Sequence, residues 1–335
     1  MPLTDPPDAG LRPEMPLPEA VARMVRGRLA GVESSFKTAV ESTDGDPQPI
    51  HKLRVATRRL ATTLQAFSDE LPARTASKLD SVLDEIRREC GAARDLDVQR
   101  LFLERLLSEA DSTELAVVDL LYERATIRRE ELVPKLSRRL ERFQPRLAKV
   151  GGALVKRCEA RRDRTDVDRG TFGEAARRML IPALSGLTSD RDLNGASSRE
   201  LHELRLAGKR LRYACELFEP ILGADFDSRF GVQMAHLQDL LGEVHDAEVA
   251  QLRYWALRQK WNRDRHKRSW DRKPQGLFSW RDLRTGLKFV VRAYRRKGKN
   301  SKQEFQEMWP GFIGDEFQLP LERLLRDLSD LRDSA

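Results

Sequence analysis

An internal repeat constrains the fold of this chain more than any other feature of its sequence. Residues 51–67 read HKLRVATRRLATTLQAF and residues 202–218 read HELRLAGKRLRYACELF, with seven of the seventeen positions identical. A second pair of blocks, GAARDLDV from Gly91 and GEVHDAEV from Gly242, repeats at the same separation of 151 residues. Two blocks that share one separation indicate a duplicated unit of about 150 residues, which is an ordinary domain size.

The length of 335 residues leaves room for two such units. Residues 161–171 read RRDRTDVDRGT and contain one short apolar residue, so this stretch can bury little and is predicted to be a linker. We therefore expect a first repeat over residues 17–160 and a second over residues 172–335. Residues 1–16 are rich in proline and are predicted to form a disordered N-terminal tail.

Helical periodicity dominates both units. Apolar residues recur at spacings of three and four, as in Val21, Val25, Leu29 and Val32. Long helices with short loops predict an all-α fold of two helical bundles. Pro134 is expected to kink a helix over residues 115–147, and residues 289–291 are the best candidate for a strand.

Each repeated helix has an apolar face and an opposite cationic face. On a helical wheel, His51, Arg54 and Arg58 cluster opposite the leucines of the first copy. Cations in a row along a helix repel one another unless carboxylates or a bound anion neutralise them. The sequence alone allows either source of negative charge, neighbouring carboxylates or a bound anion. The second copy repeats the row as His202, Arg205, Lys209 and Arg212, and the acidic candidates are Asp95, Asp97, Asp246 and Glu248.

The net charge of +8 is unevenly distributed along the chain. Residues 253–302 contain 18 Lys or Arg against three Asp or Glu, so the rest of the chain is net negative. This basic insertion in the second repeat also contains four tryptophans. Such a concentration of charge favours a polyanionic partner, although a solvated basic face is the plain alternative. The tryptophans are Trp255, Trp261, Trp270 and Trp280.

The paired H-x-L-R-x-A-x-[RK]-R-L blocks, each followed 40 residues later by G-x-x-x-D, resemble the CHAD family, the conserved histidine α-helical domain. The resemblance implies two bundles related by a pseudo-twofold axis around a central basic groove. It also implies non-enzymatic binding of inorganic polyphosphate through the repeated cationic faces, and an association with polyphosphate granules.

Carried over by motif, the resemblance implies a polyphosphate-binding surface from both copies, with Asp95 and Asp246 orienting arginines. The first copy has Ala61 and Thr62 where the second has an Arg-Tyr pair, so the second copy is expected to dominate. The implied binding residues are His51, Arg54, Arg58, Arg59, Arg94, His202, Arg205, Lys209, Arg210, Arg212 and Tyr213.

Two other functions remain as alternatives. The basic segment 253–302, with its tryptophans, could bind nucleic acid by pairing phosphates and stacking bases. His245-Asp246, with His202 and His236, superficially resembles a metal-dependent phosphohydrolase site, but the first copy has Arg94 at the position of His245, and arginine does not ligate metals. We therefore expect neither catalysis nor a metal or cofactor.

The composition predicts a reduced, cytoplasmic protein. Three cysteines are scattered without a C-x-x-C pair, which argues against a disulfide framework. The first residues lack the apolar core of a signal peptide, and no apolar run is long enough to span a membrane, so no membrane partner is expected.

Overall fold

The computed structural model describes residues 10–41, 46–162, 169–189, 193, 196–223, 226, 230–267, 270 and 274–330. Over these ranges the protein is all-α, as predicted, with an isolated β-bridge between Pro16 and Thr171. None of the described helices is both long enough and apolar enough to cross a membrane. The helices are α1 (Leu17–Glu41), α2 (Gln48–Ala66), α3 (Ala73–Leu107), α4 (Ser112–Glu141), α5 (Gln144–Arg162), α6 (Phe172–Thr188), α7 (Ser198–Leu222), α8 (Val232–Asp264), a short 3-10 helix (Pro274–Leu277), α9 (Trp280–Phe312) and α10 (Gln318–Asp330).

Capping boxes fix the starts of α6 and α7. The hydroxyl of Thr171 accepts a hydrogen bond from the backbone N–H of Glu174, and the Glu174 carboxylate accepts one from the backbone N–H of Thr171. Ser197 and Glu200 form the same reciprocal pair at α7. Each box satisfies backbone donors that the first turn of a helix leaves unpaired.

Several local predictions differ from the structure. The helix predicted over residues 115–147 is divided into α4 and α5 by a turn at Arg142 and Phe143, and Pro134, where a kink was predicted, lies inside α4. The strand predicted over residues 289–291 is wrong, because these residues belong to the continuous helical pattern of α9. The basic segment 253–302 completes α8 and forms most of α9, and the two helices pack antiparallel.

The predicted disordered tail is wrong for residues 10–16. Leu11 and Met15 are buried in the core. The carbonyls of Met15 and Pro13 accept hydrogen bonds from the backbone N–H groups of Phe172 and Gly173. Apolar side chains and backbone pairing therefore hold this segment against the start of α6. Residues 1–9, and residues 163–168 of the predicted linker, lie outside the described part of the chain.

The two predicted halves of the chain pack against each other. Contacts between them join α2 to α7, α4 to α9 and α1 to α6. Phe67 and Phe218, which end the two repeated blocks, meet edge to face with ring centroids 6.1 Å apart. Positions that are equivalent in the repeat thus lie side by side in the fold.

Two hydrophobic cores result from this packing. The larger core draws on α1, α2, α5, α6, α7 and α10, together with the first parts of α3 and α8 and the last parts of α4 and α9. The smaller core is built from the ends of α3 and α8 and from the first parts of α4 and α9, with Tyr254 and Trp261 among its buried side chains. Helices α3, α4, α8 and α9 thus pass from one core to the other, and residues of α3 and α8 on this passage face a cleft.

A candidate polyanion-binding cleft

A cleft of about 530 Å³ lies where α3 and α8 pass between the two cores. Its cations come from four helices and from both halves of the chain. We call this site the cationic cleft. Its positively charged side chains are Arg94 and Arg105 of α3, Arg205 of α7, Arg253 of α8 and Lys297 of α9.

The rows on α2 and α7 meet beside this cleft. Burial lowers the pKa of His51, and the charges of three arginines add to the effect; these are Arg94, Arg58 and Arg54. Burial also lowers the pKa of Lys209, with Arg205, Arg212 and then Arg58 contributing. Arg58 of α2 thus acts on both rows. Lowered pKa values in a cluster of cations indicate mutual repulsion that a bound anion would relieve.

Each repeated histidine has a neighbour at the same position of the repeat. His202 lies beside His245, and His51 lies near Arg94. The rings of His202 and His245 are 5.3 Å apart. His51 and Arg94, the equivalent residues of the first half, are close enough for the arginine to lower the histidine's pKa. The pKa of His245 is lowered by burial and by Arg205, while Asp246 opposes the shift.

The arginines differ in how they are held. Arg54 Nη1 donates to the carbonyl oxygen of Arg87 at 2.7 Å. Within the described residues, Arg94 and Arg205 have no hydrogen-bond or salt-bridge partner, and Arg205 Nε is buried. These two arginines, one from each half, therefore offer unpaired donors in the cleft, as does the exposed Arg105.

A carboxylate that the sequence analysis missed neutralises part of the arginine cluster. Glu216 of α7 accepts hydrogen bonds from Arg58 of α2 at 3.2 Å. Its oxygens also lie 3.7 Å from Arg59 Nε and 3.4 Å from Arg212 Nε. The first half has Gln65 at the equivalent position, so the repeat does not mark this residue. The spacing of four residues from Arg212 was the only signal in the sequence.

The acidic residues predicted to neutralise the cations do so only in part. Asp97 instead forms a buried salt bridge with Arg129 of α4. Asp95 and Asp246 line the cationic cleft. Neither forms a salt bridge within the part of the chain that the structure describes, so the expected pairing of these aspartates with arginines is not found. Asp246 acts at longer range, by partly opposing the lowering of the pKa of Lys209 and of His245.

Of the eleven predicted binding residues, Arg94 and Arg205 are the two that line the cationic cleft. Arg210 and Tyr213 line a separate hollow of about 720 Å³ between α2, α6 and α7, together with Arg58. The Tyr213 ring packs against Arg58 and Arg212, whose Cζ atoms are 4.8 Å and 5.3 Å from its centroid. Tyr213 therefore positions arginines rather than facing the cleft.

The basic segment 253–302 contributes Arg253 and Lys297 to the cleft, which the sequence analysis did not single out. Trp261 and Trp270 are buried in the smaller core. The Trp280 ring packs beneath Arg265. Among the described residues, no group of three or more His, Cys, Asp or Glu side chains is placed to hold a metal ion.

Comparisons with known proteins show the family and the fold of the chain. The sequence profile of the CHAD domain matches residues 16–255. No curated protein sequence matches the chain. The crystal structure of the CHAD domain from the plant Ricinus communis is similar over 96% of both chains, with a TM-score of 0.60 and 20% identity. PptA from Streptomyces chartreusis is similar over 88% of this chain and 99% of that protein, with a TM-score of 0.55 and 15% identity. The two structural similarities show a shared fold. Because the CHAD profile matches most of the length of the chain, the chain belongs to the CHAD domain family.

Proposed function

We propose that this protein binds inorganic polyphosphate in the cationic cleft, without catalysing a reaction. One observation carries the proposal: cations from α3, α7, α8 and α9, contributed by both halves, line one cleft.

Electrostatics supply the mechanism. A linear phosphate polymer would lie along the cleft, where Arg94 and Arg205 would replace cations condensed on the polymer, and the release of these cations would provide much of the affinity. Guanidinium groups bind phosphate oxygens in pairs, which suits a polymer without bases or sugars. His51 and His245 would gain protons as the anion offsets the charges of their arginine neighbours.

This mechanism requires only that charges stay fixed while the polymer binds. No covalent bond is broken, and no nucleophile or general base is invoked. For the same reason, we propose that the protein associates with polyphosphate granules wherever such granules are present.

A salt-titrated binding assay with long-chain polyphosphate tests the proposal. The double variant Arg94→Ala/Arg205→Ala is compared with Arg199→Ala, which removes an exposed arginine on the same helix as Arg205 that is paired with Glu203. We expect the double variant to bind more weakly and to lose about one unit of log–log salt slope per arginine removed. Arg199→Ala should bind as the unmodified protein does.

Normal binding by the folded double variant at every salt concentration would refute the assignment of the cleft. A competition arm with single-stranded RNA and duplex DNA, matched by phosphate concentration, tests the choice of polymer. If either nucleic acid displaces labelled polyphosphate from the cleft as well as unlabelled polyphosphate does, the site is a general anion surface and the specific proposal is wrong.

A further inference from the structure

The α8–α9 pair has a second concave surface on the side away from the cationic cleft. A groove of about 370 Å³ there is lined by Trp255 and Arg258 of α8 and by Lys288, Arg292 and Arg295 of α9. We call it the Trp255 groove. On α8, the cleft is lined by Val249 and Arg253, whereas the groove is lined by Gln251, Trp255 and Arg258. At about 100° per residue these two sets fall on opposite faces of the helix.

Trp255 is placed differently from the buried tryptophans of the same segment. Its exposed fraction is 60%, against 1% for Trp261 and 7% for Trp270. An exposed tryptophan contributes little to core packing, so its ring is open to contact with a ligand. The groove beside it has an apolar floor, formed by Tyr254 and Leu287.

The rim of the Trp255 groove is cationic. Arg292 is held by Glu114 at 3.1 Å, and Arg295 Nε donates to Gln251 Oε1 at 2.6 Å. Arg258 and Lys288 make no hydrogen bond or salt bridge within the described residues, and none of the side chains that line the groove is acidic. The groove thus combines an accessible aromatic ring with two available cations.

An aromatic ring flanked by cations matches one polyanion better than the others. Single-stranded nucleic acid presents bases that stack on aromatic side chains and phosphates that pair with cations. Inorganic polyphosphate has no ring to stack, so it gains nothing from Trp255. In a duplex the bases are already stacked on each other. A membrane surface favours a broad apolar face rather than a concave groove with a charged rim.

We propose that the Trp255 groove is a second binding site, which takes single-stranded nucleic acid. One base stacks on the Trp255 ring, and the adjoining phosphates pair with Arg258 and Lys288. The site lies outside the cationic cleft, so this proposal stands whether or not the cleft binds polyphosphate.

The test measures fluorescence anisotropy of a labelled oligouridylate of about 12 nucleotides, within the usual site sizes for such strands. The full chain is used, and saturating unlabelled polyphosphate occupies the cleft. Trp255→Ala should bind the strand at least about fivefold more weakly, because stacking on one aromatic contributes about 1–3 kcal/mol. Trp255→Phe should retain most of the affinity. Leu252→Ala is the matched control, since Leu252 is 70% exposed on the same helix but does not line the groove.

The charged rim is tested in parallel. Arg258→Ala/Lys288→Ala should lower the salt slope by about two. Lys260→Ala removes an exposed cation of α8 outside the groove and should leave the slope unchanged. Circular dichroism melting checks that each variant is folded, which the exposure of the altered side chains leads us to expect.

Three results would overturn the proposal. Equal binding of oligouridylate by Trp255→Ala and Leu252→Ala would show that no base stacks on Trp255. Loss of oligouridylate binding in Arg94→Ala/Arg205→Ala, assayed without polyphosphate, would place the strand in the cationic cleft. Weaker binding of Trp255→Ala to anionic phospholipid vesicles, with unchanged binding to oligouridylate, would make the groove a membrane-facing surface.

Discussion

Glu216 of α7 accepts hydrogen bonds from Arg58 of α2 through both of its carboxylate oxygens, at 3.2 Å each. The pair joins the two halves of the chain, and Arg59 and Arg212 lie within 4 Å of the same carboxylate. The three side chains Arg58, Arg212 and Glu216 are only 21–29% exposed. Glu216 therefore holds together arginines that would otherwise repel one another.

Replacement of Glu216 by glutamine should expose this repulsion. We expect Glu216→Gln to lower the free energy of unfolding by about 1–3 kcal/mol, between the values for exposed and buried ion pairs. Saturating polyphosphate should remove most of the deficit, because the polymer supplies the missing negative charge. Urea unfolding with and without polyphosphate measures both effects.

The matched control for this experiment is Glu219→Gln, an exposed carboxylate on the same helix. Glu219→Gln should change neither the free energy of unfolding nor the effect of polyphosphate on it. A deficit in Glu216→Gln that is the same with and without polyphosphate would show that the polymer does not reach these arginines.

Protonation of the site histidines should couple pH to both stability and binding. Burial and neighbouring arginines lower the pKa of His51 and of His245 below the ordinary value of 6.5. The unfolded chain therefore binds these protons more readily than the folded protein does. The unliganded protein should lose stability as the pH falls below about 6.5 and should keep this contribution above that pH.

A bound polyanion should reverse the effect on the histidines. Negative charge in the site raises the two pKa values, so binding takes up protons and affinity increases as the pH falls from about 8 to about 6. Calorimetric titrations in two buffers of different ionisation enthalpy measure the uptake. His51→Gln/His245→Gln should abolish most of it.

His236→Gln is the control for this measurement. His236 is exposed and lies 3.3 Å from Glu304, and it does not line the cleft. If it reduces proton uptake as much as the double variant does, the coupling does not arise in the cationic cleft.

The sequence was sufficient to predict the helical class and the repeated cationic rows, because both depend on periodicity and on one fixed separation. It did not reveal Glu216, since the repeat has Gln65 at the equivalent position and the contact is made across the two halves. Arg253 and Lys297 were likewise hidden among many basic residues. Only the antiparallel packing of α8 and α9 selects these two for the cleft.

The strand prediction was wrong because it rested on only three residues. Residues 289–291 are apolar in succession, which is typical of a buried strand. Within α9, however, Leu283, Leu287 and Val290 form a stripe at spacings of four and three, and this stripe faces the smaller core. The longer period decides the structure because it buries more apolar surface.

The buried salt bridge between Asp97 and Arg129 should be a strong determinant of stability. The two side chains are only 2% and 3% exposed. Arg129→Met leaves the carboxylate buried without its partner and should lower the free energy of unfolding by about 3–5 kcal/mol. The double variant Asp97→Leu/Arg129→Met should recover part of the loss.

Urea unfolding provides the measurement, and Arg128→Met provides the control, since Arg128 is the exposed neighbour of Arg129 on α4. The control should change stability by less than about 0.5 kcal/mol. An equally small effect of Arg129→Met would mean that Asp97 is satisfied without the arginine.

The close approach of α4 and α9 depends on a glycine. A Cβ atom added to Gly286 of α9 would overlap the side chain of Val117 on α4. Gly286→Ala should therefore force the two helices apart and lower the free energy of unfolding by about 1–3 kcal/mol. Val117→Ala in the same chain should restore part of the loss by making room for the added methyl group.

Gly31 lies within α1 with no atom inside 4 Å of such a Cβ, so Gly31→Ala should instead stabilise the protein by up to about 1 kcal/mol. Thermal and urea unfolding of these variants measure the difference, and stabilisation by both alanines would show that Gly286 does not limit the approach of α4 and α9.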